Sequence, residues 1–204
     1  MEKKILVGTN NQHKLEEIKG ILSGFPFEIV SLKDICLGSD VEENGQTYLE
    51  NAIIKAKHFS QISGLPCISD DTGLEIEFLQ GKPGIHSARW GGVEGEGRYK
   101  ANNDKLLLEL RNVPIEKRKA CFRCTIAFVS GENLIFHCEG ICEGKIVFEP
   151  RGKNGFGYDP LFEVAAYNKT FSELPDHVKN QISHRAKALQ EFQKRFSLVY
   201  KNIF

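Results

Sequence analysis

The sequence predicts an α/β fold built around one hydrophobic core. Its 204 residues, of which 41% are hydrophobic, are enough for one domain with room for two lobes. Short apolar stretches such as Ile5-Leu6-Val7 have the length of buried strands, and other stretches carry apolar residues at helical spacing. Because both kinds of element recur along the chain, we expect a fold that contains both helices and strands.

The charges and the first residues argue against two classes of partner. Lysine plus arginine number 27 and aspartate plus glutamate also number 27, so the formal net charge is zero and no overall basic field attracts DNA or RNA. The apolar stretch at residues 5–7 is too short for a signal peptide or a membrane span. We therefore expect a cytoplasmic protein that binds neither nucleic acid nor membranes.

A polar loop joins the first predicted strand to the first helix. The helix is expected from Lys14, because apolar residues follow at positions 15, 18 and 22. The loop backbone, the helix N-terminus and the lysine favour phosphate. An ordinary polar loop looks similar, and the glycines of a Walker A loop are absent. The residues of this loop are Thr9, Asn10, Asn11, Gln12, His13 and Lys14.

The helix that follows the second predicted strand, at residues 27–30, carries two lysines. Thr47 is expected to head this helix in a capping box with Glu50. Its apolar residues form a stripe that leaves Lys55 and Lys57 off the core face. Lys55 is therefore interpreted either as a phosphate ligand or as a solvated lysine.

Two adjacent carboxylates indicate a divalent metal. Asp70 and Asp71 follow a short apolar stretch and precede a glycine, which predicts an acidic turn at the carboxyl end of a buried strand. Because neighbouring carboxylates repel, both stay ionised only beside a cation or several donors, and Mg²⁺ fits best. Glu42 and Glu43, in the acidic turn at residues 40–45, are candidate partners. The alternative is that the two aspartates only cap a turn.

The middle of the chain predicts a loop, a helix and three strands. The glycine-rich residues 91–97 indicate either a mobile lid near the acidic site or a plain loop. A helix is expected from Tyr99 to Leu110, followed by a hairpin of strands at 120–129 and 134–139. A third strand at 141–148 is expected to extend the same sheet.

The last third of the chain contains a candidate base-binding loop. Phe156 lies between two glycines, so its ring has a bare face that suits stacking on a purine, and Asp159 is available to a ring N–H or a sugar. A structural bend is the alternative. Further along, Lys179 precedes Ser183-His184-Arg185, which is expected to open the last helix with Ser183 as its N-cap.

The six cysteines are interpreted as reduced structural thiols. The spacings of Cys121 and Cys124 and of Cys138 and Cys142 superficially resemble those of zinc ligands. Because residues 120–129 predict a strand, two side chains three residues apart there point to opposite faces. Reduced thiols are also usual in a cytosolic chain.

Five motifs, in the same order and over nearly the whole chain, resemble the inosine/xanthosine triphosphate pyrophosphatase family. The resemblance implies a curved mixed β-sheet flanked by helices, with residues 1–204 forming one domain whose two lobes have a nucleotide cleft between them. It also implies a homodimer that uses Mg²⁺ to hydrolyse a non-standard purine nucleoside triphosphate (ITP, dITP or XTP) to the monophosphate and pyrophosphate. The motifs are Thr9-x-Asn11-x-x-Lys14, Ser69-Asp70-Asp71-Thr72-Gly73-Leu74, Pro83-Gly84-Ile85-His86-Ser87-Ala88-Arg89, Gly155-Phe156-Gly157-Tyr158-Asp159-Pro160 and Ser183-His184-Arg185-Ala186.

The resemblance also implies roles for individual residues. Asp71 would bind the metal and act as the base for the attacking water, with Asp70 as its neighbour. Glu42 or Glu43 would complete the metal site, with a preference for Glu42. The residues that would bind the triphosphate are Thr9, Asn11, Lys14, Lys55 and Thr72. The other residues of the N-terminal loop, Asn10, Gln12 and His13, are expected to line the same site. The residues at the base would be Phe156, which stacks on it with Gly157 and Tyr158 alongside, and the edge readers Asp159, Lys179, His184 and Arg185.

The sequence departs from the family pattern at two positions. Thr72 stands where many members carry serine, and Trp90 stands where tyrosine or phenylalanine is usual, but neither change removes a needed functional group. A septum-formation-type nucleotide pyrophosphatase has a similar architecture, but the order of the motifs favours the first family. A nucleotide-sensing module gains nothing obvious from Asp70 and Asp71 beside Mg²⁺, and a scaffold protein leaves the polar loops unexplained.

Overall fold

The computed structural model describes residues 3–38 and 40–199, which form a mixed α/β fold. The strands are β1 (Lys4–Val7), β2 (Glu28–Ser31), β3 (Cys67–Ile76), β4 (Lys119–Ser130), β5 (Asn133–Ile146), β6 (Phe162–Val164) and β7 (Lys169–Thr170). The α-helices are α1 (Gln12–Ile21), α2 (Tyr48–Ser63), α3 (Arg98–Glu109), α4 (Asp176–Ile182) and α5 (His184–Val199). Short 3₁₀ helices lie at Glu77–Leu79, Gly84–Arg89, Ile115–Lys117 and Phe171–Glu173.

The strands of the described residues form one seven-stranded sheet in the order β2-β1-β3-β4-β5-β6-β7. β1 lies between β2 and β3 and is parallel to both, with Leu6 opposite Val30 and Cys67. β6 is antiparallel to both of its neighbours, β5 and β7. Parallel strands need crossover connections, and α1 and α2 lie in the segments that supply them. These pairings confirm the predicted mixed α/β fold.

The chain divides into two compact units, and each unit is made of separate stretches of sequence. The first unit contains the described residues of Met1–Asp71, Cys124–Gly140 and Arg185–Phe204. The second unit contains Thr72–Arg123 and Ile141–His184. The strands β3, β4 and β5 each contribute residues to both units.

The core of the first unit consists of two apolar clusters. Ile5 and Val7 of β1 belong to one cluster, with residues of α1 and α5 such as Ile18 and Phe192. Leu6 belongs to the other cluster, with residues of α2 such as Phe59. Because successive side chains of a strand point to opposite faces, helices cover both faces of this part of the sheet.

The second unit has one apolar cluster. It joins Leu74 and Ile76 at the end of β3 to Leu106 of α3 and to the aromatic rings of Phe162 and Phe171. The buried Arg118 fixes the end of α3, because its guanidinium donates to the backbone carbonyl oxygens that follow the helix. The carbonyl oxygens after the helix belong to Leu110, at 2.6 Å, and Val113, at 2.8 Å. The guanidinium also donates to the carbonyl oxygen of Val147 at 3.0 Å.

Two predictions about strands are wrong in detail. Asp70 and Asp71 do not lie in a turn, because β3 runs without interruption from Cys67 to Ile76. The two strands predicted at 134–139 and 141–148 are one strand, β5. Pairing with neighbouring strands therefore overrides the local preference of aspartate and glycine for turns at these positions.

The described helices contain no segment that is long and apolar enough to span a membrane. The six cysteines form no disulfide with one another. Cys121 and Cys124, which the sequence places three apart in a strand, both lie in β4.

Candidate active site

The N-terminal loop is organised by Asn11, which caps α1. Its Oδ1 accepts hydrogen bonds from the backbone N–H groups of His13 at 3.1 Å and Lys14 at 3.3 Å. Thr9 supports the loop, because its Oγ1 accepts from the N–H of Asn11 at 3.2 Å. The helix accordingly begins at Gln12, two residues before the predicted start. The predicted phosphate loop is thus a capped helix N-terminus, which carries the positive end of the helix dipole.

Two exposed side chains of this loop bond to neighbouring residues. Asn10 Nδ2 donates to Asp40 Oδ1 at 2.8 Å, and Gln12 Nε2 donates to Glu16 Oε1 at 3.1 Å. Such contacts are readily exchanged for contacts with a ligand or with water, because both partners stay accessible to solvent.

Asp70 is the centre of a buried cluster of charges. It is 2% exposed, and its Oδ2 lies 3.0 Å from Lys14 Nζ and 3.1 Å from an Arg185 guanidinium nitrogen. Arg185 also pairs with Glu17. Burial and the charge of Arg185 lower the pKa of Lys14, but the carboxylates of Asp70 and Asp71 together outweigh them, so this pKa is raised. Lys14 therefore stays positively charged at neutral pH at the start of α1.

Asp71, in β3, contacts Lys55 and Asn51 of α2. Lys55 Nζ lies 3.2 Å from Glu43 Oε2 and 3.7 Å from Asp71 Oδ1. Asn51, one helical turn before Lys55, donates from Nδ2 to Asp71 Oδ2 at 3.1 Å. Lys55 is only 9% exposed, so the prediction that it lies off the buried face of α2 is wrong.

The pKa of Asp71 is raised above that of an ordinary aspartate. Burial is the main cause, and the nearby charge of Glu43 adds to it, while Lys55 and Lys14 act in the opposite direction. The carboxylate form of Asp71 is therefore more basic than that of an exposed aspartate. It gains more than an ordinary aspartate from a cation or a proton brought to the site.

The donor set around Asp71 fits Mg²⁺. One ammonium group lies within 3.7 Å of carboxylate oxygens of both Glu43 and Asp71, so the space between them already favours a cation. No group of three or more His, Cys, Asp or Glu side chains among the described residues is arranged to hold a metal ion. Mg²⁺ is commonly bound by one or two carboxylates that are completed by substrate phosphates and waters, and this set has that form.

Glu43 is better placed than Glu42 for this role. Glu43 is half-buried and shares Lys55 with Asp71, whereas Glu42 is exposed. The sequence preference for Glu42 has no support from this geometry, and the choice between the two glutamates stays a prediction.

The two aspartates have different partners because they are consecutive residues of one strand. Successive side chains in β3 point to opposite faces, so Asp70 meets Lys14 of α1 and Asp71 meets Lys55 of α2. The ion pairs of the two carboxylates therefore differ, with Lys14 and Arg185 at Asp70 and Lys55 at Asp71. The predicted metal beside the two aspartates stays a prediction.

The second unit holds the candidate base-binding loop. Asp159 Oδ2 accepts from the backbone N–H of Phe156 at 2.9 Å and lies 2.6 Å from Lys179 Nζ. Lys179 Nζ also lies 5.0 Å from the centre of the Phe156 ring. Gly155 has φ +75°, and a Cβ there would come within 2.2 Å of Asp159 Oδ2, so the turn requires glycine. One buried ion pair thus sets both the loop and the ammonium group beside the aromatic ring.

Two other predicted base-site residues are buried among the residues of the second unit. The Tyr158 hydroxyl donates to the carbonyl oxygen of Ser87 at 2.9 Å, and burial raises the pKa of Tyr158. The His184 ring stacks on Phe122 with centroids 4.6 Å apart. Both side chains therefore have a structural partner in this unit. Thr72 is half-buried in β3.

The predicted site residues fall into two groups. The first unit contains the candidate metal and phosphate residues Thr9, Asn10, Asn11, Gln12, His13, Lys14, Glu42, Glu43, Lys55, Asp70 and Asp71, together with Arg185. The second unit contains Thr72, Phe156, Gly157, Tyr158, Asp159, Lys179 and His184. Arg185, which the resemblance assigns to the base edge with Lys179, pairs with Asp70 and Glu17. Its role toward a base stays a prediction.

Sequence reasoning missed two residues of the first unit. Asn51 holds Asp71, and Glu17 holds Arg185. Asn51 had a detectable signal, because it lies beside Ala52 on the apolar face of a predicted helix, where an amide needs a buried partner. Glu17 had a weaker signal, since it follows Lys14 by one turn of α1.

A model of the Ham1 family matches residues 5–195. The chain belongs to the Ham1 family.

Proteins with an assigned name and solved structures agree with this family. The chain is 47% identical over 186 residues to a dITP/XTP pyrophosphatase of Geobacter sulfurreducens, covering 91% of this chain and 92% of that protein. It is 48% identical over 191 residues to a dITP/XTP pyrophosphatase of Thermoanaerobacter sp. strain X514, covering 93% and 94%. The structure of a Ham1 protein from Coxiella burnetii superposes with a TM-score of 0.85 at 38% identity, covering 96% and 98%. The family predicted from the five motifs is confirmed.

Proposed function

We propose that this Ham1-family protein hydrolyses non-standard purine nucleoside triphosphates, namely ITP, dITP and XTP, to the monophosphate and pyrophosphate. The observation that carries the proposal is the Asp71–Lys55–Glu43 cluster, in which a carboxylate with a raised pKa and a second carboxylate share one cation. The names of the relatives from Geobacter and Thermoanaerobacter support the same activity.

Residues of the first unit would bind the phosphate groups of the substrate. Lys14 and the positive dipole end of α1 supply positive charge that would attract phosphate oxygens. Lys55 supplies a second positive charge on α2. These groups would hold the departing pyrophosphate and neutralise the charge that develops on it.

Asp71 is the proposed general base. In the protein without metal, burial raises the pKa of Asp71, so its carboxylate is more basic than that of an exposed aspartate. Its carboxylate would take a proton from the attacking water, while Asn51 fixes its orientation. Mg²⁺, when held by Asp71 and Glu43, would supply positive charge to the phosphate oxygens and help to order the water.

The second unit supplies the proposed recognition of the base. Phe156 would stack on the purine, and Lys179 is fixed beside the ring by Asp159. Lys179, paired with Asp159 beside the ring, would donate an N–H to a 6-oxo group of the base. Adenine carries an amino group at that position and would leave this donor unsatisfied.

The assembly and location of the protein are part of the same proposal. We infer a homodimer, as the family resemblance implies, and a location in the cytoplasm, as expected from an apolar start too short for a signal peptide. A sedimentation experiment that gives a mass near 46 kDa, about twice the 23.0 kDa of one chain, would support the dimer. A mass near that of one chain would contradict it.

Product analysis tests the proposed activity. The protein is incubated with ITP and Mg²⁺, and the phosphate products are separated and counted. We expect equal amounts of inosine monophosphate and pyrophosphate, with no activity when the metal is chelated. Inosine diphosphate with orthophosphate would overturn the proposed bond cleavage. Binding of ITP without turnover would instead identify a sensing module.

A further inference from the structure

The first two turns of α3 contact one 3₁₀ helix and two loops of the second unit. Asn102 is 1% exposed, and its Oδ1 accepts from the N–H of Gly91 at 2.6 Å. Its Nδ2 donates to the carbonyl oxygens of Ser87 at 3.1 Å and Ala88 at 3.2 Å. The next residue, Asn103, donates from Nδ2 to the carbonyl oxygen of Gly157 at 3.0 Å. Two consecutive amides thus join α3 to the 3₁₀ helix Gly84–Arg89, to the start of the glycine-rich loop and to the loop at Gly157.

Gly91 shows how closely the glycine-rich loop approaches α3. A Cβ at Gly91 would lie 2.6 Å from the backbone of Ala101 and 2.8 Å from that of Asn102. Only glycine allows this contact without a shift of the helix. The start of the loop at residues 91–97 is therefore attached to α3.

The rings of Tyr99 and Phe156 lie near each other, and each ring has a cationic side chain beside it. Its ring centre is 6.0 Å from that of Phe156, at an interplanar angle of 48°. The Arg98 guanidinium lies 4.9 Å from the Tyr99 ring centre and donates to its hydroxyl at 3.2 Å. Lys179 lies on the Phe156 ring at 5.0 Å. Aromatic pairs and cation–π contacts favour particular ring orientations, and they also add to the attraction between the groups.

Phe156 depends on such outside support. It lies between Gly155 and Gly157, whose φ values of +75° and +64° are in the left-handed region that glycine adopts easily. The Phe156 side chain is only half-buried. A half-buried side chain loses conformational freedom when a base stacks on it, and that loss lowers affinity unless the ring is already ordered.

We propose that Tyr99 and Asn103 are positioning residues that hold Phe156 in the orientation needed to stack on the purine. Tyr99 acts on the ring, and Asn103 acts on the backbone through the carbonyl oxygen of Gly157. The inference rests on the proposed function, in which Phe156 receives the base. It adds α3, a helix outside the five motifs, to the part of the protein that selects substrate.

The test separates base binding from phosphate binding in Tyr99→Ala and Asn103→Ala. We expect each variant to raise KM for ITP about three- to tenfold, the range that an aromatic contact contributes, with kcat within about twofold of the wild type. Inhibition by inorganic tripolyphosphate, which has no base, should be unchanged. Tyr99→Phe keeps the ring and should restore KM. Tyr167→Ala removes a tyrosine that is 43% exposed in the same unit and serves as the matched control.

Three results would overturn the inference. They are an unchanged KM in both alanine variants, a rise in the tripolyphosphate inhibition constant in parallel with KM, and failure of Tyr99→Phe to restore KM. Melting temperatures measured beside the kinetics identify a general loss of structure, which would weaken tripolyphosphate binding as well. Failure of the proposed function is seen separately, because wild-type protein would then bind ITP without releasing pyrophosphate. The ITP dissociation constants of the same variants replace KM in that case.

Discussion

The two units hold their candidate site residues by different means. In the first unit the side chains are held by charge, with Lys14 and Arg185 on Asp70 and with Lys55 on Asp71. In the second unit the decisive contacts are hydrogen bonds to the backbone and ring packing, as in the bond from Asn103 to the carbonyl oxygen of Gly157. One buried ion pair, between Lys179 and Asp159, joins these contacts and itself binds the backbone of the loop.

This difference suits the two parts of a nucleotide. A lysine or arginine can exchange a carboxylate partner for a phosphate oxygen, because both are anionic. A carboxylate can likewise exchange an ammonium group for a metal ion. A neutral base offers only a shape and a few polar atoms, so its site has to be ordered in advance. Substitutions in the first unit should therefore affect all nucleotides alike, whereas substitutions in the second should change the ratio between nucleotides.

The largest effect is expected for Asp71→Asn. The substitution removes the proposed base and a metal-binding charge, so kcat should fall by roughly a thousandfold or more, equivalent to about 4 kcal/mol of transition-state stabilisation. Steady-state kinetics with ITP would measure the loss. Activity above a tenth of the wild-type value would contradict the assignment.

The same variant has an opposite expected effect on stability. Because burial raises the pKa of Asp71, its protonated form stabilises the fold, and this contribution is lost as pH rises through the raised pKa. At pH 7 without metal, Asp71→Asn replaces a buried carboxylate with a neutral amide and should leave the melting temperature equal or higher. A lower melting temperature would show that Lys55 and Asn51 stabilise the carboxylate more than burial opposes it.

Arg185→Ala is expected to have the next largest effect. It leaves the buried Asp70 with one cation fewer, and breaking a buried ion pair typically costs about 3–5 kcal/mol of stability. The pairing of Arg185 with carboxylates of the first unit predicts a similar loss of activity for ITP and ATP, whereas the base-reading role implied by the family resemblance predicts a loss for ITP alone. Arg195→Ala, on the exposed face of the same helix, is the control. Loss of ITP activity alone would show that Arg185 reads the base.

Glu43→Gln and Glu42→Gln form a matched pair. Loss of even an outer partner of a metal site typically lowers metal affinity about 10- to 100-fold, and removal of a ligand should cost at least as much. We expect the Mg²⁺ concentration for half-maximal activity to rise by this amount in Glu43→Gln and to stay unchanged in Glu42→Gln, because only Glu43 shares Lys55 with Asp71. The reverse result would restore the sequence-based preference for Glu42.

Lys14→Ala should have a smaller effect, mainly on KM. A charged hydrogen bond contributes about 1.5–3 kcal/mol, which corresponds to a rise in KM of roughly ten- to a hundredfold with little change in kcat. Lys19→Ala is the control, because Lys19 lies on the same helix and is exposed. Unchanged kinetic constants in Lys14→Ala would mean that Lys14 only stabilises Asp70.

Local sequence patterns predicted the first strand, the first helices and the motif residues, because these depend on spacing within a few residues. They failed where residues that are distant in sequence determine the contacts of a side chain or the length of a strand. Arg185 meets partners 115 and 168 residues away, and no local spacing indicates them. The continuity of β5 through Gly140 depends on its neighbours in the sheet. Lys55 is buried because Glu43 and Asp71 surround its ammonium group, which helical periodicity does not show.

The ratio of kcat/KM for ITP to that for ATP, measured in three proteins, tests the division of labour most directly. A site built to hydrogen-bond one substituent rejects the wrong base by roughly four orders of magnitude, so the wild-type ratio should be of that order. Lys14→Ala should lower both values and keep the ratio, whereas Lys179→Met should lower the ratio strongly. A wild-type ratio near one, or a ratio that changes more in Lys14→Ala than in Lys179→Met, would contradict the account.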